Sequence, residues 1–145
     1  METRPFSYET ELRWTGSRTS TVTAGDRPEL VITPPNDFPG GGHAEWSPEH
    51  LFLASLQSCT MLSFIAHCSH NGVEIVSYES RATGALERRE SDRRYAFTAV
   101  DVTVHVKVAG GHAEAARGLQ SKAERDCFIS ASTTAEVHTD WRVVE

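Results

Sequence analysis

A long apolar run near the middle of the chain constrains the fold more than any other feature. It covers residues 51–66 and follows Ser47, Pro48 and Glu49. Serine is a good N-cap, proline fits the first helical position, and a glutamate complements the positive end of the helix dipole. We therefore predict a helix over residues 47–70, ended by the Asn-Gly pair that follows. Because this helix is apolar around most of its circumference, it should be covered by a sheet and by other protein.

The rest of the chain is predicted to be mainly β structure with one further helix. In residues 95–108 five valines alternate with mostly polar residues, which is typical of an antiparallel sheet with one solvent-exposed face. Residues 112–125 have a helical pattern, and the Pro- and Gly-rich residues 34–42 are predicted to be a surface loop. The fold class is therefore α+β, in a single domain over residues 1–145. The predicted strands are residues 6–14, 19–24, 29–33, 73–88, 95–108 and 135–144.

The charge balance limits the classes of partner. The net charge is −6, whereas binding to nucleic acids or to anionic membrane surfaces favours clustered Lys and Arg. Polar residues interrupt the apolar run, so we expect it to fall short of a membrane span, and no N-terminal signal segment is visible. We expect a cytoplasmic protein whose partners are small molecules or proteins, with no nucleic acid and no membrane.

Three cysteines are the candidates for chemistry. A thiol inside an apolar run is normally inert, because desolvation raises its pKa, so reactivity of Cys59 requires a nearby cation and a second thiol. Cys68 is about 13 Å further along the predicted helix and on roughly the opposite face, so it cannot bridge to Cys59. Cys127 is free to approach Cys59 through tertiary packing. These two are either redox-active thiols or two small buried hydrophobes, and the residue pattern leaves both open.

Metal and cofactor chemistry has weaker support. His67 and His70 share a helix face and could join a thiolate around zinc. However, neither a Cys-x-x-Cys nor a His-Glu-x-x-His motif accompanies them. We therefore expect structural or surface histidines, no metal and no cofactor.

Two segments resemble the signature regions of the OsmC/Ohr family, the osmotically inducible and organic hydroperoxide resistance proteins. They are residues 47–59, SPEHLFLASLQSC, and residues 126–130, DCFIS. The turn WTGSR at residues 14–18 resembles the first turn of that family. The resemblance implies an OsmC-like fold, in which antiparallel sheets pack around a long central helix. It also implies an intertwined homodimer with two sites at the interface.

The same resemblance implies an activity and a role for each site residue. The activity is the reduction of organic hydroperoxides to alcohols, as part of an antioxidant response to oxidative stress. Cys59 would be the peroxidatic cysteine and Cys127 the resolving cysteine, which forms a disulfide with it. Arg18 would activate the thiolate and Glu49 would orient Arg18. An external dithiol would then reduce the disulfide, and the family suggests a lipoylated protein as a candidate for it.

Physical chemistry supplies reasons for these residue types. Cys59 lies in mid-helix, so a guanidinium is the natural group to lower its pKa and to polarise a peroxide O–O bond. Glu49 precedes Cys59 by about 15 Å along the helix axis, too far for both to line one small site. We therefore expect the Glu49 that serves a given Cys59 to come from a second subunit. Apolar residues suited to a pocket for alkyl chains are Phe38, Trp46, Phe52 and Leu56.

A second hypothesis belongs to a different class of function. The chain would be a non-catalytic dimer that binds a small apolar ligand or acts as a redox sensor. Its cysteines would then serve packing. Treatment with an organic peroxide separates the two hypotheses, because only the peroxidase should lose two thiols and gain a disulfide.

Overall fold

The structure is a computed structural model that describes residues 3–41 and 44–145. Two compact units make up the chain, residues 1–51 and residues 52–145. Helix α1 (Pro48–His70) begins in the first unit and continues in the second. The organisation as a single domain over residues 1–145 stays a prediction.

The first unit contains a small antiparallel meander. Its strands are β1 (Glu11–Gly16), β2 (Thr19–Thr23) and β3 (Leu30–Ile32), in the order β1-β2-β3. The first strand begins five residues later than predicted, at Glu11, which pairs with the last residue of β2. The pairing of β1 with β2 begins at Glu11, and the described residues before it, 3–10, are in no strand. β1 leaves Leu12 and Trp14 largely exposed within this unit.

The predicted loop is confirmed for residues 34–41, which form turns and irregular structure. Gly42, at the end of the predicted loop, lies outside the described residues. Gly40 has φ +80°, a conformation that L side chains rarely adopt. Glycine is therefore needed at this position for more than general loop flexibility.

The helix predicted over residues 47–70 is confirmed. The Oγ atom of Ser47 accepts a hydrogen bond from the backbone N–H of His50 at 3.2 Å, so Ser47 is the N-cap. At the other end Gly72 has φ +68°, which allows the chain to leave the helix.

Removal of the helix cap gives a test of stability. The change Ser47→Ala should lower the free energy of unfolding by about 1 kcal/mol, because the N–H of His50 loses its acceptor. Urea denaturation measures this effect. Ser69→Ala, at an exposed position of the same helix, is the matched control and should have a smaller effect. Equal midpoints for the two variants would show that the cap contributes nothing.

On length and composition alone, α1 is sufficient to cross a membrane, so the expectation that its apolar run falls short is wrong. In the second unit, however, Leu56, Phe64 and Cys68 are buried in the hydrophobic core. The core helix of a water-soluble protein passes the same test, so this property does not assign the helix to a membrane.

The second unit is built on a sheet of three strands. These are β4 (Ile75–Arg88), β5 (Tyr95–Val108) and β6 (Glu136–Val144), in the order β4-β5-β6. β4 and β5 pair antiparallel, and the valines of β5 are buried as predicted. The prediction of an antiparallel sheet does not hold for β6, which pairs parallel to β5. The helical segment between β5 and β6 returns the chain to the end of the sheet at which β5 begins. A parallel pair requires such a crossover.

The helix predicted over residues 112–125 is divided into shorter helices. They are α2 (Ala113–Arg117), α3 (Gln120–Arg125) and α4 (Phe128–Ala131). Gly118, a poor helix residue, separates the first two. Ala116 and Ala123 are fully buried, so the small side chains of α2 and α3 allow close packing on the core. Cys127 lies between α3 and α4.

Candidate active site

Two of the three thiols meet in the second unit. Cys59 lies on α1, and Cys127 is the N-cap residue of α4. The two side chains are neighbours that line one groove, and both thiols are free. In the sequence, strands β4 and β5 lie between these two residues, and the fold brings the residues together.

Cys127 is buried among hydrogen-bond donors. Its Sγ atom accepts from the backbone N–H of Ser130 at 3.5 Å and from the hydroxyl of Thr60 at 3.6 Å. The side chain is 1% exposed. Burial by itself raises the pKa of Cys127, but the hydrogen bonds from Ser130 and Thr60 outweigh it, and the net effect is a lowered pKa. Cys127 is therefore stabilised as a thiolate.

Cys59 has the opposite electrostatic balance. Burial raises the pKa of its thiol above the ordinary value. A hydrogen bond from the backbone of Ile129 lowers the pKa in part, and the neighbouring thiol of Cys127 raises it again. Among the described residues, no arginine or lysine contributes to this shift. Activation of Cys59 therefore requires a cation in addition to these neighbours.

Both thiols line an open groove of about 650 Å³ in the second unit. Its lining surface is mostly apolar, and charged and polar side chains contribute the rest. A groove of this character suits a small organic molecule that carries one polar group. The apolar lining residues are Leu62, Ala66, Phe128 and Ala131, and the polar ones besides the thiols are Ser63, His67, His70, Arg125 and Asp126.

The two predicted pocket residues that belong to the second unit, Phe52 and Leu56, are not among the residues that line this groove. Leu56 has no exposed surface, because it faces the core, and Phe52 stacks on Phe97 with ring centroids 5.0 Å apart. In the first unit, Phe38 and Trp46 are each about half-exposed. The role of all four residues in a substrate pocket stays a prediction.

Arg18 lies in the turn between β1 and β2 of the first unit. Its guanidinium donates a hydrogen bond to the carbonyl of Pro39 at 3.0 Å. A Cβ atom at Gly40 would lie 3.1 Å from the Cδ of Arg18, so the absence of a side chain there leaves room for the arginine stem. The loop therefore positions Arg18 in two ways: the carbonyl of Pro39 accepts its hydrogen bond, and Gly40 leaves room for its side chain. The sequence indicated neither contact.

Glu49 lies in the first turn of α1, where its Oε2 atom is buried. This oxygen has no hydrogen-bond partner within residues 3–41 and 44–145. Glu49 and Arg18 do not form an ion pair in the described part of the chain. A buried carboxylate oxygen without a donor is costly, so it is expected to meet a cation or another donor in the assembled protein.

Cys68 is separate from the thiol pair. It is buried in the core on α1, and burial raises the pKa of its thiol. A thiol whose pKa burial raises is normally inert, and Cys68 was expected to be unable to bridge to Cys59.

A hydrogen bond between a histidine and a carboxylate beside the thiols was not predicted from the sequence. The Nε2 atom of His67 lies 2.8 Å from the Oδ2 atom of Asp126, and Arg125 bonds both oxygens of the same carboxylate. Arg125 first, and then His67, lowers the pKa of Asp126 to about 2. His67 is thus engaged with a carboxylate instead of with His70. No group of three or more metal-binding side chains suited to an ion occurs in the described residues.

The chain was compared with known proteins. A family model described as OsmC-like protein matches residues 40–142, and none of the curated proteins matches significantly. An OsmC-like protein of unknown function from Vibrio cholerae is 22% identical, with a TM-score of 0.86 over 94% of this chain and 99% of that one. The organic hydroperoxide resistance protein OhrB of Bacillus subtilis is 22% identical, with a TM-score of 0.67 over 96% and 98% of the two chains.

An organic hydroperoxide resistance protein from Elizabethkingia anophelis is 20% identical, with a TM-score of 0.72 over 100% of this chain and 99% of that one. At these identities the similarity to the solved structures shows the fold, which confirms the predicted OsmC-like α+β architecture. The family model covers well over half of the sequence. The chain therefore belongs to the OsmC-like protein family.

Proposed function

We propose that this protein is a thiol-dependent peroxidase that reduces organic hydroperoxides to alcohols. The observation that carries the proposal is the neighbouring pair of free thiols, Cys59 and Cys127, in a mostly apolar groove. Two proteins of similar fold are named organic hydroperoxide resistance proteins. The groove is suited to the alkyl part of an organic peroxide, and the pair of thiols to its reduction.

The chemistry needs two sulfur atoms and no cofactor. The thiolate of Cys59 attacks one peroxide oxygen, the O–O bond breaks, and the alkoxide leaves and takes a proton to become the alcohol. Cys59 is then a sulfenic acid. The sulfur of Cys127 attacks it, water leaves, and a disulfide forms. An external dithiol, for which a lipoylated protein is our candidate, supplies two electrons and returns both thiols.

Access and electrostatics support this division of roles. Cys59 is partly exposed whereas Cys127 is buried, so a peroxide in the groove reaches Cys59 first. Cys127 does not need to meet the peroxide, because in the proposed chemistry it reacts only with the oxidised Cys59 beside it. The donors Ser130 and Thr60 stabilise its thiolate, which is the form that attacks a sulfenic acid.

We further propose that Arg18 and Glu49 complete the site in a homodimer. Arg18 would stabilise the thiolate of Cys59, and Glu49 would hold the guanidinium through its unpartnered buried oxygen. Because Glu49 and Cys59 are far apart along one helix, the Glu49 at each thiol pair would belong to the other subunit. A monodisperse monomer with full peroxidase activity would contradict this arrangement.

Titration of thiols with cumene hydroperoxide tests the activity. We expect Cys59 and Cys127 to disappear from the thiol count and to appear as a disulfide in peptide mapping, while Cys68 stays free. Thiols that are untouched by an excess of the peroxide would overturn the proposal.

That outcome would instead support the second candidate, a non-catalytic dimer that binds an apolar ligand or senses redox state. The observation in its favour is the raised pKa of Cys59 beside an open apolar groove. A thiol that burial keeps protonated is a packing residue unless a cation reaches it.

A further inference from the structure

We propose that His67 is a positioning residue for the resolving step, because it holds Cys127 against α1 through Asp126. This inference rests on the proposed function, since it concerns the step in which Cys127 attacks the oxidised Cys59. The signature segments do not include His67. They include Asp126, directly before Cys127, but suggested no role for it.

One stripe of α1 is bonded to the segment that carries Cys127. Residues 60, 63 and 67 of the helix are three and four positions apart and therefore lie on one side. Each makes a polar bond to residues 123–127. The bonds are Thr60 hydroxyl to Cys127 Sγ at 3.6 Å, Ser63 hydroxyl to Ala123 carbonyl at 2.8 Å, and His67 Nε2 to Asp126 Oδ2 at 2.8 Å.

The bond made by His67 goes to a carboxylate, and that carboxylate belongs to the residue directly before Cys127 in the chain. Arg125 and His67 keep the pKa of Asp126 low, so its side chain is a carboxylate at every pH where the thiols react. A carboxylate is an acceptor only, so the Nε2 atom of His67 must be the donor. Bonds to charged acceptors are stronger than neutral ones. The bond from Thr60 is weaker because its hydroxyl also reaches the carbonyl of Leu56 at 2.9 Å.

His67 is too far from Cys59 to act on the peroxide directly. Eight helical residues separate them, which corresponds to about 12 Å along the axis. A proton donor for the leaving alkoxide must lie within hydrogen-bond reach of it. The effect of His67 on the chemistry therefore passes through Asp126 and the backbone of Cys127.

Position of the resolving thiol decides the fate of the Cys59 sulfenic acid. When Cys127 is held close, its sulfur displaces water and the disulfide forms. When it is not, a second hydroperoxide molecule transfers an oxygen to the sulfenic acid, which becomes a sulfinic acid as another alcohol leaves. The ratio of these two products measures positioning and does not depend on the rate of the first oxidation.

The test compares His67→Leu, which removes the donor, with His67→Gln, which retains an N–H donor near the same place. The same two changes at His105, an exposed residue of β5, are the matched controls. At a fixed excess of cumene hydroperoxide, mass spectrometry measures the ratio of disulfide to sulfinic acid. The equilibrium of the thiol pair with glutathione measures, without any peroxide, the effective concentration of Cys127 at Cys59. Circular dichroism checks that each variant is folded.

We expect His67→Leu to lower both the product ratio and the effective concentration by about tenfold, the size expected for one lost charge-assisted hydrogen bond. His67→Gln should recover most of both, and the changes at His105 should alter neither. Unchanged values in folded His67→Leu, or equal losses in the Leu and Gln variants, would overturn the inference. If the wild-type protein does not react with peroxide, the proposed function fails, and the glutathione equilibrium still decides the role of His67: a shift supports it and no shift overturns it.

Discussion

Replacement of Cys59 by serine is expected to abolish peroxide reduction, with a loss of about 10³-fold or more in kcat/KM. The hydroxyl of serine ionises far less readily than a thiol, so the side chain cannot supply the anion that attacks the O–O bond. Steady-state consumption of cumene hydroperoxide with an external dithiol measures the effect. The same assay with lipoyl, thioredoxin and glutathione reductants identifies the class of thiol reductant that the protein uses.

The other cysteines provide the controls for this variant. Cys68→Ala should retain activity, because Cys68 is in the core and away from the groove. Cys127→Ser should consume peroxide once and stop at a sulfenic acid that dimedone traps. Retention of a tenth of the activity or more by Cys59→Ser would contradict the assignment of Cys59 as the peroxidatic residue.

Loss of the guanidinium at residue 18 is expected to have the second largest effect, roughly a 100-fold decrease in kcat/KM at neutral pH. Without Arg18, burial leaves the pKa of Cys59 above the ordinary value for a thiol. Each unit by which the pKa rises above the pH removes about nine-tenths of the remaining thiolate. The rate of Arg18→Leu should therefore increase as the pH rises and become constant only above the raised pKa, whereas the wild-type rate should level off at lower pH.

Two comparisons make the Arg18 prediction specific. Arg18→Lys keeps the charge and loses the planar fork, so its activity should lie between those of the wild type and the leucine variant. Arg13→Leu removes an exposed arginine of the same meander and should leave the pH profile unchanged. A wild-type rate and pH profile in Arg18→Leu would show that another group activates Cys59.

Local sequence signals predicted the helices and strands whose contacts are close in sequence. Ser47 and Gly72 mark the ends of α1, and the alternating valines of β5 mark its buried face. The parallel pairing of β6 could not be read in this way, because it depends on the path of the connection and not on any residue of the strand. The division of the second helix also had a local signal, Gly118, which the helical pattern around it obscured.

For the candidate site, the resemblance identified the thiols, and the structure supplied their surroundings. Burial of Leu56 was not predictable, since an apolar helix residue can face either a core or a pocket and only tertiary packing decides. The pair of His67 and Asp126 joins residues that are 59 positions apart. No spacing rule links such residues, so only coordinates reveal it.

The crossover that the parallel pairing of β6 requires carries Cys127, so it also affects when the two thiols can come together. β4 and β5 form a hairpin from neighbouring residues, whereas β6 must wait until the helical crossover with Cys127 has been placed. During synthesis Cys59 leaves the ribosome well before Cys127, so the two sulfur atoms can meet only after the crossover has been made and has packed against α1. Under the proposed function, a nascent or partly folded chain would thus expose Cys59 to oxidants before Cys127 is beside it, and protection against overoxidation would be acquired late in folding.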